Sequence, residues 1–232
     1  MAISFVPVES NPEVLTSLAR ALGLDKSVAF HDVYSLELLD FVPRPALALI
    51  LVFPVTPAYE AVRRELDSGR SYTPLPTDDI IWLRQTINNA CGTYALLHSA
   101  LNGSAAAAIV PGSVLDQFHR DLPLLSTPER ASYIESSHAL RESHDSAAHR
   151  GDTEAPAADA DVDLHYVAFV KADSGMLYEL DGRRVGPVAL TTLGPDDDVL
   201  SPEAIKFVQS FIDRDSSSSM QFSLLALAPA MD

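Results

Sequence analysis

The chain is poor in cysteine and in positive charge, and it has no apolar run long enough to cross a bilayer. Its 232 residues include one cysteine, Cys91. That excludes an intrachain disulfide and any zinc or iron–sulfur site built from several thiolates, and it suits a reducing compartment. Sixteen Lys and Arg stand against 32 Asp and Glu, a formal net charge of −16. A phosphate backbone would be repelled rather than neutralised, so nucleic acid is not an expected partner. The acidic excess serves solubility on the plain reading and attraction of a basic partner on the sharper one. The N-terminus, Met1-Ala2-Ile3-Ser4-Phe5-Val6-Pro7, lacks a basic stretch leading into an apolar one, and the apolar segment Ala46 to Phe53 is too short to span a membrane. The expectation is a cytoplasmic protein, with the nucleus also open to it, and no membrane partner.

With 47% hydrophobic and 21% charged residues, the chain can bury a sizeable core, and its length suits one domain over 1–232. Asn11-Pro12-Glu13 gives a cap, a proline at the first helical position and an acid in the first turn, followed by Leu15, Leu18 and Leu22 before Gly23. Thr56-Pro57 repeats the signal for a helix to about Leu66. Further helices are expected near Ser113, at Thr127-Pro128-Glu129 and at Ser201-Pro202-Glu203. The run Ala46 to Phe53 reads as a central strand covered on both faces. Leu164 to Val170 and Met176 to Leu180, joined by Asp173-Ser174-Gly175, read as a hairpin, and Phe222 to Leu227 as a last strand. Helices around a central sheet follow, without regular βαβ units.

The segment from Arg141 to Asp163 is dominated by Ala, Asp, Glu, Ser and His, with Val162 its one large aliphatic residue. Such a stretch cannot bury itself, and it is expected to be a mobile loop within the domain.

A lone cysteine is more often a small buried hydrophobe than a nucleophile. The neighbours of Cys91 change that balance. Asn88-Asn89-Ala90 precedes it, Gly92 to Leu101 can form a helix, and the Asn pair offers capping oxygens. Cys91 is therefore placed at a helix N-terminus, where unpaired N–H groups and the macrodipole favour a thiolate. Attack on a carbonyl also needs a base that later acts as acid, a group to orient it, and oxyanion donors. Gln85, six residues earlier, can bring an amide beside the Cys91 backbone N–H.

The seven histidines are separated by strand context. If Gly175 takes the left-handed position of a three-residue hairpin loop, Ala172 opposes Met176 and Val167 faces Asp181. His165 and Asp181 then share a sheet face as diagonal neighbours, about 7–8 Å apart at Cα. His98 lies two turns into the cysteine's own helix, and His144 and His149 fall in the expected loop. His31, His119 and His138 lack an adjacent strand carboxylate. No His pair stands at a ligand-like spacing beside a cysteine, so neither a metal nor another cofactor is expected.

The motif Gln85-Thr86-Ile87-Asn88-Asn89-Ala90-Cys91-Gly92-Thr93, His165 opening an apolar strand, and Leu177-Tyr178-Glu179-Leu180-Asp181-Gly182-Arg183 together resemble the ubiquitin C-terminal hydrolases, peptidase family C12. Pro7 to Val14, Phe30 to Tyr34, Val42-Pro43-Arg44-Pro45 and Thr153-Glu154-Ala155-Pro156 carry the same resemblance, which covers essentially the whole chain. It implies an α+β, papain-like cysteine-peptidase core with an antiparallel sheet between helices and a knotted backbone. It also implies a short, single-domain deubiquitinase that cleaves after ubiquitin's C-terminal glycine. Cys91 would be nucleophile, His165 base and acid, Asp181 the orienting carboxylate and Gln85 the oxyanion donor. Arg141 to Asp163 would cross the active site and filter leaving groups, favouring small adducts, peptides and unfolded extensions. Glu9, Glu13 and Asp32 would receive the basic tail of ubiquitin, which ends Leu-Arg-Leu-Arg-Gly-Gly. The expected partners are ubiquitin and C-terminally modified ubiquitin, met by a monomer. A related ubiquitin-like modifier, or a ubiquitin binder with little chemistry, are the alternatives.

Overall fold

In the computed structural model, which describes residues 3–152, 157, 158, 160, 163–213 and 222–231, the apolar run of the sequence becomes strand β2 (Ala48–Pro54). Its side chains alternate between two cores. Ala48, Ile50 and Val52 join one cluster, while Leu49, Leu51 and Phe53 join the other. A strand apolar on both faces must lie in the interior of a sheet, and β2 pairs antiparallel with β3 (Leu164–Lys171) on one side and β6 (Ser223–Pro229) on the other. With β1 (Val28–Asp32), β4 (Met176–Leu180) and β5 (Val188–Thr192), the described residues form a six-stranded sheet in the order β1-β6-β2-β3-β4-β5. Every neighbouring pair is antiparallel. This is the expected α+β architecture.

Helices α1 (Pro12–Leu22), α3 (Cys91–Ala100), α4 (Val114–Asp121), α5 (Thr127–Ser136) and α6 (His138–Ala148) contribute to the first core, and α7 (Pro202–Ile212) to the second. Helix α2 (Pro57–Asp67) adds Tyr59 to the second. In α1, Asn11 Oδ1 accepts the N–H of Glu13 at 2.8 Å, and Gly23 ends the helix at φ +111°. A Cβ on Gly23 would also fall 2.0 Å from Ser113 Cβ, so both conformation and space require glycine there. Burial of Leu15, Leu18 and Leu22 contributes about 1.5–3 kcal/mol each. Helix α3 differs from α1 in being buried from Gly92 to Ala100. It is a core helix rather than a surface one, which explains its lack of a polar face.

The hairpin has the expected register. Ala168 pairs with Leu180 and Phe169 with Glu179, Ala172 N–H donates to Met176 O at 2.9 Å, and Gly175 sits at φ +86°. The expected loop from Arg141 to Asp163 is corrected over its first third. Residues 141–148 belong to α6, whose buried face is Leu140, His144, Ala147 and Ala148, packed against α1. Those positions have helical spacing, but composition hides it because the stripe is built from small residues and a histidine. β1 and β5 were not anticipated either; β5 is a partly exposed edge strand with a weak pattern. The motif Thr153 to Pro156, Val162 and the serine run Ser216 to Ser219 lie outside the described residues.

Candidate active site

Cys91 is the first residue of α3, and its side chain is partly exposed. The helix has Ala90 at its cap position and no side-chain cap, so the expectation that the Asn pair caps it is corrected. Asn89 instead adopts the left-handed conformation, φ +57°. Its amide nitrogen donates to the carbonyls of Ala158 at 3.0 Å and Ala160 at 2.9 Å. Gly92 lets the start of the helix approach the N-terminal segment, since a Cβ there would lie 2.4 Å from Val8 Cγ2, whereas the Tyr166 ring of β3, at 3.5 Å, would be in ordinary contact. Cys91 Sγ comes within 3.9 Å of Leu164 O, beside His165.

His165 is buried at the start of β3, opposite Phe53, whose ring meets it edge-on at 5.8 Å. Its Nε2 lies 2.7 Å from Asp181 Oδ1, which leaves Nδ1 for the cysteine. Asp181 is fully buried just beyond β4. Its Oδ1 also accepts the Arg183 backbone N–H at 2.8 Å, and its Oδ2 accepts the Tyr59 hydroxyl at 2.8 Å. Burial alone would raise the Asp181 pKa, but His165 and these donors hold it well below the usual carboxylate range. Burial likewise works to lower the pKa of His165. The Asp181 charge and hydrogen bond, then Cys91, outweigh it and push His165 up to about 9. His165 therefore holds its proton at neutral pH.

Gln85 lines the same cleft as Cys91 and His165. Its side-chain nitrogen donates to Ile87 O at 3.1 Å, while its Oε1 is buried without a protein partner among the described residues. The Gln85 backbone N–H donates to Gly182 O at 2.8 Å, and a Cβ on Gly182 would fall 2.8 Å from Gln85 Cβ. The turn bearing Asp181 is thus packed directly on the segment bearing Gln85. Trp82 reinforces it, donating its indole N–H to Asp181 O at 3.0 Å. The cleft, of about 680 Å³, is bordered also by Asn88, Ala158, Ala160 and Arg183.

The structure therefore brings Cys91, His165, Asp181 and Gln85 together, adds Tyr59 and Trp82, which sequence reasoning missed, and gives Gly182 of the quoted motif a packing contact with Gln85. Tyr59 stands 122 positions from Asp181, and no local spacing announces such a contact. His144, expected in a mobile loop, is buried on α6, with Nε2 2.7 Å from Val6 O and Nδ1 2.6 Å from Thr93 Oγ1. Glu13 and Asp32 share a hollow of about 720 Å³ with Arg20, Tyr34, Phe41 and Met231. Glu9 lies instead against Gly151, where a Cβ would come 2.2 Å from Glu9 Oε2. Among the described residues, no group of three His, Cys, Asp or Glu could hold a metal ion.

Residues 5–213 match the family model described as ubiquitin carboxyl-terminal hydrolase, family 1. The chain is 35% identical over 227 residues to a probable ubiquitin carboxyl-terminal hydrolase of Dictyostelium discoideum, covering 97% of this chain and 88% of that one. It is 35% identical over 236 residues to ubiquitin carboxyl-terminal hydrolase YUH1 of Saccharomyces cerevisiae, covering 97% and 95%. In fold it resembles the UCH37 catalytic domain of Trichinella spiralis, solved bound to ubiquitin vinyl methyl ester. The TM-score is 0.77 at 23% identity, over 98% of this chain and 96% of that one.

Proposed function

This chain belongs to the ubiquitin carboxyl-terminal hydrolases of family 1, and from that premise we propose how its cleft carries out thiol-dependent hydrolysis after the C-terminal glycine of ubiquitin. The observation that carries the reading is the 2.7 Å contact between His165 Nε2 and Asp181 Oδ1, buried beside a cysteine at a helix N-terminus.

His165 starts protonated, and the Cys91 thiolate attacks the glycine carbonyl carbon. The S–C bond forms as the carbonyl π pair moves to oxygen. The Cys91 backbone N–H and the Gln85 amide stabilise that oxyanion, the amide turning from Ile87 O. Collapse breaks the C–N bond, and the leaving amine takes the proton from His165, leaving a thioester. Neutral His165 then removes a proton from water, and the hydroxide attacks the thioester. Loss of the thiolate restores Cys91, with His165 again protonated. Asp181 stays ionised throughout, orienting the ring and stabilising its cationic form.

Glu13 and Asp32, in the second hollow, are proposed to receive the arginines of the ubiquitin tail, with Glu9 acting separately beside Gly151. Raising salt should then slow association more than it speeds dissociation.

The test is incubation with ubiquitin bearing a C-terminal electrophile, and with the same probe built on a related modifier. A covalent adduct on Cys91 with ubiquitin, absent in Cys91→Ser, is expected. Binding without an adduct would reduce the protein to a ubiquitin-binding module, and preference for the other probe would reassign the modifier.

A further inference from the structure

We propose that Tyr166 is a positioning residue: by donating its hydroxyl to Val8 O, it ties the strand that carries His165 to the residue packed on Gly92, and so sets the spacing between the base and Cys91. The inference deepens the hydrolase reading above and rests on it for its kinetic consequence.

Successive residues of a strand point to opposite faces. In β3, His165 meets the ring of Phe53, which belongs to the second core, whereas Tyr166 belongs to the first core, on the face where α3 packs. Tyr166 is therefore the handle by which that face of the sheet holds the backbone next to His165. Its hydroxyl donates to Val8 O at 2.9 Å. Its ring carbons Cε1 and Cζ stand 3.5 Å from where a Gly92 Cβ would lie, and Val8 Cγ2 stands 2.4 Å from the same point. The residue after the nucleophile is thus bordered by the residue after the base and by the hydrogen-bond partner of that residue.

Val8 can transmit this constraint because its segment is anchored elsewhere. Phe5 N–H donates to Asn88 O at 3.0 Å and Asn88 N–H to Ile3 O at 2.9 Å, three residues before Cys91. Burial keeps the His144 ring neutral. Its Nε2, 2.7 Å from Val6 O, must be the donor, because a carbonyl can only accept. Nδ1 is then the acceptor and takes the Thr93 hydroxyl at 2.6 Å, which ties α6 to the first turn of α3. Residues 3–8 are therefore held directly at Asn88 and through His144 at Thr93, on both sides of Cys91. Tyr166 adds the link to the strand of His165. Burial pushes its phenol far above the usual pKa, so the hydroxyl stays a donor across the working pH range. Phenylalanine would fill the same space and deprive Val8 O of this donor.

The test compares the full chain with Tyr166→Phe, Val8→Ala, the double variant and, as a control, Tyr133→Phe, which removes a hydroxyl bonded to Asp121 outside the cleft. Steady-state kinetics on a ubiquitin-amide reporter are joined to the pH profile of Cys91 alkylation by iodoacetamide, which needs no turnover. A neighbouring imidazolium favours the thiolate, so widening the gap between His165 and Cys91 moves that profile to higher pH. In Tyr166→Phe, kcat should fall by about threefold to tenfold, the size of one net hydrogen bond. KM should be unchanged, because Tyr166 does not line the cleft. The alkylation midpoint should rise by about half a pH unit to one unit. Val8→Ala should move the profile the same way, Tyr166→Phe should add little to it in that background, and Tyr133→Phe should leave it in place. An unchanged profile in Tyr166→Phe would overturn the positioning role, and an equal shift in Tyr133→Phe would reduce it to a general loss of stability. A full additional shift in the Val8→Ala background would overturn the route through Val8. Should the unsubstituted chain release no reporter while its alkylation profile still responds to Tyr166→Phe, the hydrolase reading fails and the bridge between the two residues stands.

Discussion

Tyr59 on α2 donates its hydroxyl to Asp181 Oδ2 at 2.8 Å, while His165 takes Oδ1 of the same carboxylate. The two oxygens are thus divided between a fixed donor and the reacting imidazole. The Tyr59 ring is itself wedged against Phe53 at 4.8 Å and Phe211 at 6.0 Å, and burial, then Asp181, push its pKa far above that of a free phenol. It therefore remains a donor across the working pH range.

Tyr59→Phe keeps the ring and removes the donor, leaving a buried carboxylate oxygen without that partner at a cost of about 1–3 kcal/mol. The expected outcome is lower kcat with little change in KM, because Tyr59 acts through Asp181 and does not line the cleft. Steady-state kinetics on a ubiquitin-amide reporter check this, and a changed KM with intact kcat would remove Tyr59 from the positioning of Asp181.

Asp181→Asn tests the elevated His165. In the native protein the His165 pKa is raised from 6.5 to about 9. The stability it contributes is full below the unfolded value and is lost as pH rises through about 9. Acid catalysis by the imidazolium should fail over the same range. Without the carboxylate charge, burial is opposed by less, so the alkaline limb of the kcat profile should move to lower pH, with kcat reduced by about 10²-fold or more. A limb that stays in place would assign it to another group.

His98 should govern part of the acid lability. It is fully buried, accepts the Leu83 N–H on Nε2 at 2.9 Å, and burial depresses its pKa to about 4. The unfolded chain binds a proton near 6.5 that the folded chain refuses. Stability is therefore full above 6.5 and falls as pH drops toward 4, by about 3 kcal/mol at an effect of 1.36 kcal/mol per unit. Urea unfolding from pH 7 to pH 4 should show the loss. His98→Gln, whose amide oxygen can accept the same N–H, should flatten it.

Much of this site could be read from sequence because its determinants are local or follow from parity. Asp173-Ser174-Gly175 fixes the hairpin register as far as Ala168 opposite Leu180, and Asp181, just beyond the end of β4, meets His165 where that parity leads. Cys91 at a helix start follows from the helix-compatible run up to Leu101 behind it, although the Asn pair offered as its cap does not cap it. What stayed hidden depends on tertiary packing. Tyr59 reaches Asp181 through the docking of α2, and Trp82 through a buried indole N–H. Asn89 looked like a cap because asparagine favours caps, yet its side chain found carbonyls some 70 residues away, at Ala158 and Ala160. Helix α6 was concealed by a buried stripe of small residues and a histidine.

Gly92 offers the sharpest geometric test, because the position of Cys91 depends on how closely the start of α3 approaches Val8. In Gly92→Ala the new Cβ would lie 2.4 Å from Val8 Cγ2, well inside contact distance. Val8 is buried and β-branched, and its carbonyl accepts the Tyr166 hydroxyl at 2.9 Å, so it has little freedom to yield. The helix start must move instead, at an overpacking cost of about 1–3 kcal/mol, carrying Cys91 away from His165. Gly92→Ala should therefore lose kcat while the protein remains folded at 25 °C. Val8→Ala removes the colliding methyl group, so the double variant Val8→Ala/Gly92→Ala should recover activity relative to Gly92→Ala alone, although Val8→Ala by itself forfeits packing. Recovery in the double variant would tie the loss to this contact. If both variants are equally inactive, the glycine is required for the backbone conformation at the helix start rather than for the space beside Val8.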